Sequence, residues 1–279
     1  MQLHAPAKLN LCLFLGPRHD DGLHSLCSLF EPLALADLIE VAESERDEVI
    51  CPGVEGDNLA AGALAALRNS GWAHPPLRIE IAKRIPVAAG LGGGSADAAA
   101  VLRLGRGEVA ELEELAMRLG ADVPSQLVPA LSLVRGAGES IERLPDPAPH
   151  AAVLLPGGGG LSTGAVFAEA DRLGLGRDPE ELDELAARLR AAAGAGDSPL
   201  SYAELLGNDL EPAARSLRPE LGDALDALRD AGAPVALLTG SGPTAFGLFD
   251  DLPAARRAAG ELGRDDAIVC EAGRAGGLL

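Results

Sequence analysis

The sequence has little lysine, no long apolar run and no clustered cysteine. Lysine occurs only at Lys8 and Lys83 among 279 residues. No uninterrupted apolar run approaches the roughly 18 residues that a membrane-spanning helix needs, and no basic segment followed by an apolar core opens the sequence. We therefore expect no membrane partner, no signal peptide and a cytoplasmic location.

The cysteines and the net charge exclude further classes of site and partner. The four cysteines, Cys12, Cys27, Cys51 and Cys270, lack the spacing of a metal or redox motif, so we expect most of them to be small buried side chains. A formal net charge of −19 opposes binding to nucleic acid or to an anionic membrane. Any anion-binding cleft would be a local exception.

Composition and element pattern predict a folded α+β protein. Apolar residues make up 47% of the chain and charged residues 23%, which is typical of globular proteins. The second half alternates strands (151–155, 234–238, 245–249, 267–271) with helices (164–173, 179–193, 200–206, 217–231, 252–262), which favours antiparallel pairing in an α+β layer. The proline-rich stretch 145–149 is the best linker and predicts two domains, 1–147 and 148–279.

A glycine-rich stretch from Ile85 to Asp97 is the most informative motif. An alternating strand pattern at 77–81 precedes it, and good helix formers follow it at 96–104. Ser95 stands where an N-cap belongs, and four glycines occupy five positions at 90–94. Successive N–H groups in such a loop, aimed at a helix N-terminus, can bind phosphate oxygens.

The same stretch has a simpler interpretation as a tight turn with a capped helix. The spacing excludes the dinucleotide-binding fingerprint, because Ser95 stands in place of the third glycine. It also excludes a Walker A loop, since no Gly-Lys-Ser/Thr follows. If phosphate binds here, the cationic partner comes from elsewhere in the chain.

Several polar residues each have a structural and a functional interpretation. In the strand 7–15 the odd positions are apolar, so Lys8 and Asn10 project together from the other face, which is either solvated or a site. A lone histidine such as His24 is more often structural than catalytic.

Helix boundaries account for two further polar residues. Asn58 is expected to cap a helix at 59–68. A helix at 108–119 is expected to end at Gly120 in the left-handed conformation, and Asp122 would then cap the next helix, with Pro124 in its first turn. Between these helices and the linker, residues 130–144 read as a hairpin.

Five stretches occur together in order, at residues 5–11, 21–24, 85–97, 120–124 and 239–243. This series resembles the superfamily of galactokinase, homoserine kinase, mevalonate kinase and phosphomevalonate kinase (GHMP kinases). The opening Pro6-Ala7-Lys8-Leu9-Asn10 and the Asp21-Gly22-x-His24 motif are most similar to the members that act on 4-diphosphocytidyl-2-C-methyl-D-erythritol in non-mevalonate isoprenoid synthesis.

The resemblance implies a two-lobed fold with the active site between the lobes. The N-terminal lobe would resemble ribosomal protein S5 domain 2, and the C-terminal lobe a ferredoxin-like sandwich. ATP phosphates would lie on the loop, with Asn58 near the adenine and Mg²⁺ bridging the β- and γ-phosphates. The implied loop contacts are Pro86, Val87, Ala88, Ala89, Gly90, Leu91, Gly92, Gly93, Gly94, Ser95 and Ala96.

The resemblance also implies roles for individual side chains. Asp122 would accept the proton of the 2-hydroxyl, and Lys8 would keep that carboxylate ionised and offset the developing charge. The implied substrate contacts are Asn10, His24, Thr163 and Phe167. Leu23 departs from the family, which commonly has an aromatic residue before the histidine.

Two alternatives remain open at this point. The acceptor could be another alcohol of the superfamily, such as homoserine, a mevalonate-type alcohol or a sugar. The chain could also be a nucleotide-binding module without catalysis, although the presence of both Lys8 and Asp122 counts against this.

Overall fold

Two long antiparallel strands form the centre of the fold. The computed structural model describes residues 1–19, 22–54, 56 and 58–274, so Asp21 of the Asp-Gly-x-His motif lies outside the described residues. The strands are β1 (Gln2–Arg18), β2 (His24–Glu43), β3 (Glu48–Ile50), β4 (Leu77–Ala82), β5 (Ser132–Gly136), β6 (Ser140–Arg143), β7 (His150–Leu155), β8 (Val235–Leu238), β9 (Ala245–Phe249) and β10 (Ile268–Ala272).

Helices cover the sheet. They are α1 (Leu59–Asn69), α2 (Gly93–Leu102), α3 (Leu112–Leu119), α4 (Val123–Gln126), α5 (Thr163–Leu173), α6 (Pro179–Ala193), α7 (Glu211–Leu217), α8 (Glu220–Asp230) and α9 (Leu252–Leu262), with 3₁₀ turns at Arg103–Gly105 and Pro199–Leu205. Within the described part of the chain, none of these helices has the length and apolar character needed to cross a bilayer.

Strand β2 connects the two halves of the sheet. It pairs with β1, with β5 through its first half and with β4 through its second half, all antiparallel. Near its middle, Leu33 pairs with Ala272 of β10, and the sheet continues in the order β10-β7-β9-β8. Those last four strands are antiparallel to one another, which confirms the predicted α+β class and the predicted pairing of the second half.

Buried apolar side chains form three clusters. One lies between α1, α2 and the N-terminal strands, and another between the C-terminal strands and α5, α7 and α8. The third joins both halves, since Leu9 and Leu11 share it with Leu189 and Phe246. The boundary predicted between residues 147 and 148 falls in the connection between β6 and β7 and stays a prediction.

Strand β1 differs from its prediction because both of its faces are buried. Residues 5–16 are all buried, including Lys8 and Asn10 on the face that the sequence left as either solvated or a site. The glycine loop covers Lys8, as the Lys8 N–H donates to the Leu91 carbonyl, and Thr239 covers Asn10. The polar face of β1 is therefore enclosed by the loops, and its side chains need partners there.

Several of the predicted helix boundaries were wrong, and a proline or a glycine determines the backbone conformation at some of them. The helix expected at 108–119 begins only at Leu112, and Gly120 follows it with φ 163°, an extended rather than a left-handed conformation. The helix expected at 217–231 begins only at Glu220, after Pro219, which has no N–H for an earlier turn, and α7 before it was not predicted. The helix at 200–206 is a 3₁₀ segment, and β3 was not predicted.

Candidate active site

The glycine loop turns sharply before α2. Ala88, Gly90 and Gly92 have φ of 56°, 77° and 70°, in the left-handed region that favours glycine. A Cβ on Gly90 would stand 2.6 Å from the Gly242 carbonyl oxygen, so this position has no space for a side chain. The loop is therefore held against the 239–244 loop of the C-terminal half.

The start of α2 corrects the role predicted for Ser95. Gly92 is the N-cap, and no side chain caps the helix. Ser95 lies in the first turn, where its hydroxyl lines the cavity beside the loop. The amides of Gly93, Gly94 and Ser95 belong to a first turn that has no intrahelical acceptors, so they are available to an anion.

Lys83 lies beneath this loop between two carboxylates. Its Nζ contacts Asp37 and lies 2.7 Å from Asp97 Oδ2. Asp37 Oδ1 also accepts the backbone N–H groups of Arg84 and Ile85, at 2.6 and 2.9 Å. The cluster therefore fixes the chain just before the loop.

Burial and charge act in opposite directions in this cluster. Burial lowers the pKa of Lys83, but Asp97 and Asp37 together raise it above its ordinary value. Burial raises the pKa of Asp97 to about 7, more than its contact with Lys83 lowers it. Asp97 Oδ1 is buried with no hydrogen-bond partner in the described part of the chain, which agrees with the dominant effect of burial.

Lys8 and Asp122 form an ion pair on the other side of the loop. Lys8 Nζ lies 3.3 Å from Asp122 Oδ2, and the Asp122 side chain is 34% exposed. Lys8 Nζ also donates to Asn10 Oδ1 at 2.6 Å and lies 4.8 Å from the centre of the Phe30 ring. Asp122 occupies the N-cap position of α4, but its side chain makes no capping bond, so its carboxylate is directed to Lys8 instead.

Asn10 is held at both ends of its side chain. Its Oδ1 accepts from Lys8, and its Nδ2 donates to Ser28 Oγ at 2.9 Å. Its backbone N–H donates to Thr239 Oγ1 at 2.9 Å. Asn10 therefore orients Lys8 in this structure, and its predicted contact with substrate stays a prediction.

A cavity of about 560 Å³ extends from Lys8 and Asp122 to His24 and Phe167. The His24 and Phe167 rings lie 5.4 Å apart at 41°. Thr163 also lines this cavity, with its Oγ1 3.1 Å from Ser241 Oγ. The structure thus brings the predicted substrate residues together along one surface, with the half-exposed Leu23 at its edge.

A second cavity of about 350 Å³ lies on the other side of the glycine loop. Asn58 and Leu59 line it together with the loop residues and Lys83. Asn58 also caps α1, as its Oδ1 accepts the Ala60 N–H at 2.8 Å, so the capping prediction is confirmed. Gly90 and Gly92 border both cavities.

Sequence reasoning assigned no role to three charged residues of the site: Lys83, Asp97 and Asp171. Lys83 could have been found, since it is one of two lysines and precedes the loop by two residues. Asp171 follows Thr163 and Phe167 at intervals of four, which places all three on one helix face. Asp97 was noted only as the end of the motif.

Comparison with known proteins places this arrangement in a family. Residues 58–129 match the family described as GHMP kinases N terminal domain, and residues 197–267 match GHMP kinases C terminal. The 4-diphosphocytidyl-2-C-methyl-D-erythritol kinase of Thermobifida fusca is 40% identical over 281 residues, covering 93% of this chain and 90% of that protein. The enzyme of that name from Mesorhizobium japonicum is 37% identical over 275 residues, with coverage of 93% and 90%.

The chain belongs to the 4-diphosphocytidyl-2-C-methyl-D-erythritol kinases of the GHMP family. A crystal structure of 4-(cytidine 5'-diphospho)-2C-methyl-D-erythritol kinase matches with a TM-score of 0.81 and 35% identity, over 98% of this chain and 100% of that one. Homoserine kinase from Cytophaga hutchinsonii, at 19% identity and a TM-score of 0.69, over 98% of this chain and 94% of that one, shares the fold. The predicted family, two-lobed fold and ATP-dependent small-molecule kinase class are confirmed.

Proposed function

We propose that this kinase transfers the γ-phosphoryl group of ATP to the 2-hydroxyl of 4-diphosphocytidyl-2-C-methyl-D-erythritol, a step in isoprenoid precursor synthesis. The Lys8–Asp122 pair carries this proposal, because it lies 3.3 Å apart in the substrate-side cavity, which shares Gly90 and Gly92 with the nucleotide-side cavity. The family membership supplies the identity of the alcohol.

The glycine loop would bind the ATP phosphates. Backbone N–H groups of the loop and of the first turn of α2 offer donors where the helix dipole also favours negative charge. Asn58 and Leu59 would contact the adenosine end, since they line the same cavity on its far side. In a chain of net charge −19, the N–H groups of this loop form the local exception that an anionic substrate needs.

Asp122 would act as the general base. A tertiary hydroxyl is a weak nucleophile near neutral pH, so a carboxylate that accepts its proton assists attack on the γ-phosphorus. Lys8 would offset the charge that develops on the transferring group. The exposed part of Asp122 faces the cavity, which leaves room for the hydroxyl.

Mg²⁺ would accompany ATP. Within the described residues no three His, Cys, Asp or Glu side chains form a metal cluster. A magnesium ion that accompanies ATP is commonly held by phosphates and water, and Ser95 at the start of α2 could add a ligand. When bound, the ion would neutralise charge on the β- and γ-phosphates.

The cytidyl end would lie against His24 and Phe167, which line the same cavity. Phe167 offers an aromatic face to the base, and Leu23 would pack on the other side, where it replaces an aromatic residue. Thr163 and Asn10 would contact the remainder of the substrate, as both line the same cavity. The alcohol would then reach Asp122 at the opposite end.

A substrate panel tests this proposal. The protein is incubated with ATP and, separately, with the diphosphocytidyl alcohol, homoserine, mevalonate or galactose, and ADP release is measured for each. We expect turnover of the diphosphocytidyl alcohol at a kcat/KM far above that of the others. Turnover of another acceptor alone would overturn the substrate, and no turnover of any acceptor would overturn the function.

A further inference from the structure

Asp171 connects helix α5 to the histidine of the substrate cavity. Its Oδ1 lies 2.7 Å from His24 Nε2, and the His24 side chain is 5% exposed. Asp171 lines the same cavity as His24 and Phe167. The mechanism proposed above gives this carboxylate no role.

We propose that Asp171 is a positioning residue that fixes the ring orientation and the proton of His24 for recognition of the cytosine base. This inference rests on the proposed function. An ionised carboxylate only accepts hydrogen bonds, so the proton of the neutral ring is held on Nε2 and the lone pair on Nδ1. A ring without this anchor can flip or change tautomer, which exchanges a donor for an acceptor.

The contact with Arg18 explains the position of the Asp171 carboxylate less well than the contact with His24 does. Arg18 Nη1 lies 3.7 Å from Asp171 Oδ2, and the Arg18 side chain is 60% exposed. An ion pair this long and this exposed is screened by water and contributes little. The bond to His24 is shorter, at 2.7 Å, and the His24 ring at its other end is 5% exposed although Asp171 itself is 38% exposed, so His24 is the partner that Asp171 constrains.

Neighbouring contacts also favour an orienting role. Phe167 packs against the His24 ring from the same helix, one turn before Asp171. Helix α5 thus touches the histidine twice, once through an aromatic face and once through a carboxylate. A ring held at two points keeps a single orientation, which base recognition requires.

Three variants test the inference through binding of CDP, measured by calorimetry in saturating non-hydrolysable ATP analogue. We expect Asp171→Ala to weaken CDP binding about tenfold, which corresponds to about 1.4 kcal/mol, while the Kd of the ATP analogue stays within twofold. Asp171→Asn keeps an acceptor oxygen, so binding should recover to within about threefold of the wild type. Glu169→Ala is the matched control, since Glu169 lies on α5, contacts Arg172 and Ser216, and lies outside the cavity.

A double-mutant cycle separates positioning from a general structural effect. If Asp171 acts through His24, Asp171→Ala should change CDP affinity by less than twofold in the His24→Ala background. Additive losses, a loss in Glu169→Ala equal to that in Asp171→Ala, or unchanged affinity in Asp171→Ala would overturn the inference.

The binding readout keeps this inference distinct from the proposed function. A wild type that binds CDP without phosphorylating the diphosphocytidyl alcohol would contradict the function, and the cycle would still decide the role of Asp171. A wild type that does not bind CDP would overturn the cytidyl site and the inference together.

Discussion

The two lysines of this chain lie on opposite sides of one glycine loop, in different surroundings. Lys8 faces a single carboxylate, Asp122, which is 34% exposed and opens into a cavity. Lys83 faces two carboxylates, Asp37 and Asp97, whose side chains are 0% and 5% exposed. A Cβ on Gly92 would stand 3.0 Å from Lys8 Cγ, and one on Gly93 would stand 3.2 Å from Lys83 Nζ, so both lysines border the loop.

This difference distinguishes the Lys8–Asp122 pair, which is open to a substrate, from the Lys83 cluster, which stabilises the fold. The Lys83 cluster has more negative than positive groups, and burial already favours a proton on Asp97, whose pKa rises to about 7. Its lysine and both carboxylates pair with one another inside the protein. The Lys8 pair is balanced and open at the carboxylate, so a substrate hydroxyl can reach Asp122 without breaking a buried network.

The largest effect is expected when Asp122, the proposed base of the Lys8–Asp122 pair, is replaced. Asp122→Asn should lower kcat for the diphosphocytidyl alcohol by about 10²–10⁴, because the amide no longer accepts the hydroxyl proton. The free energy of unfolding should change less than on loss of a fully buried pair, because the amide keeps an oxygen beside Lys8 and the Asp122 side chain is 34% exposed. Steady-state kinetics and urea unfolding measure the two quantities.

Asp97→Asn is the matched control in the other lysine site. Because burial already favours the protonated carboxyl there, the neutral amide should cost much less in kcat than Asp122→Asn does. Equal losses of kcat in both variants would show that the two lysine sites do not differ in the way proposed.

The next largest effect is a loss of stability in the closed cluster, which consists of Lys83, Asp37 and Asp97. Asp37→Ala should lower the free energy of unfolding by about 3–5 kcal/mol, because it leaves Lys83 and two backbone N–H groups without their acceptor. Urea unfolding followed by circular dichroism measures it. A loss below about 1 kcal/mol would mean that water or Asp97 replaces Asp37, and that the cluster is not closed.

The sequence predicted the Lys8–Asp122 site better than it predicted the cluster of Lys83, Asp37 and Asp97. Lys8 and Asn10 were placed on one strand face from their spacing of two, and they are in contact. The pairing of Lys8 with Asp122 came from the family resemblance, since nothing in local spacing brings residues 8 and 122 together. The four strands of the second half and its helices at 164–173, 179–193 and 252–262 were predicted correctly because strand and helix periods were clear there.

The closed cluster was not predicted because it depends on tertiary contacts. Asp37, Lys83 and Asp97 come from β2, from the residue after β4 and from α2, and no local pattern connects them. The cap predicted at Ser95 was wrong for a related reason. Gly92 adopts a left-handed conformation that starts α2 earlier, beneath the loop that covers Lys8.

A smaller effect tests the loop between the two lysines. Gly92→Ala should cost about 1–2 kcal/mol of unfolding free energy, because its φ of 70° is unfavourable for a residue with a Cβ. The new methyl also presses on Lys8, so kcat should fall as well. Gly94→Ala is the control for stability, since its Cβ would meet only Leu59 at 3.7 Å. Equal unfolding free energies for both variants would contradict the strained conformation at Gly92.

The smallest effect concerns the buried His150–Glu31 pair, which lines neither of the two cavities. His150 Nδ1 lies 2.9 Å from the Ala148 carbonyl oxygen, and its Nε2 lies 3.2 Å from Glu31 Oε2. Both neighbours accept hydrogen bonds, so the ring is best satisfied with two protons. Burial lowers the pKa of His150, but Glu31 and the carbonyl raise it above 6.5 overall.

The sign of the resulting pH dependence follows from where the proton binds more tightly. The folded protein holds the His150 proton above the pH at which the unfolded chain releases it, so this contribution to stability is complete below about pH 6.5. It is lost as the pH rises through the raised pKa of the folded state. The difference in unfolding free energy between wild type and His150→Gln should therefore shrink from pH 6 to pH 8, and taking this difference cancels the titration of Asp97. A difference that stays constant over this range would show that His150 carries no extra proton, while kcat should be unaffected because this pair lies outside both cavities.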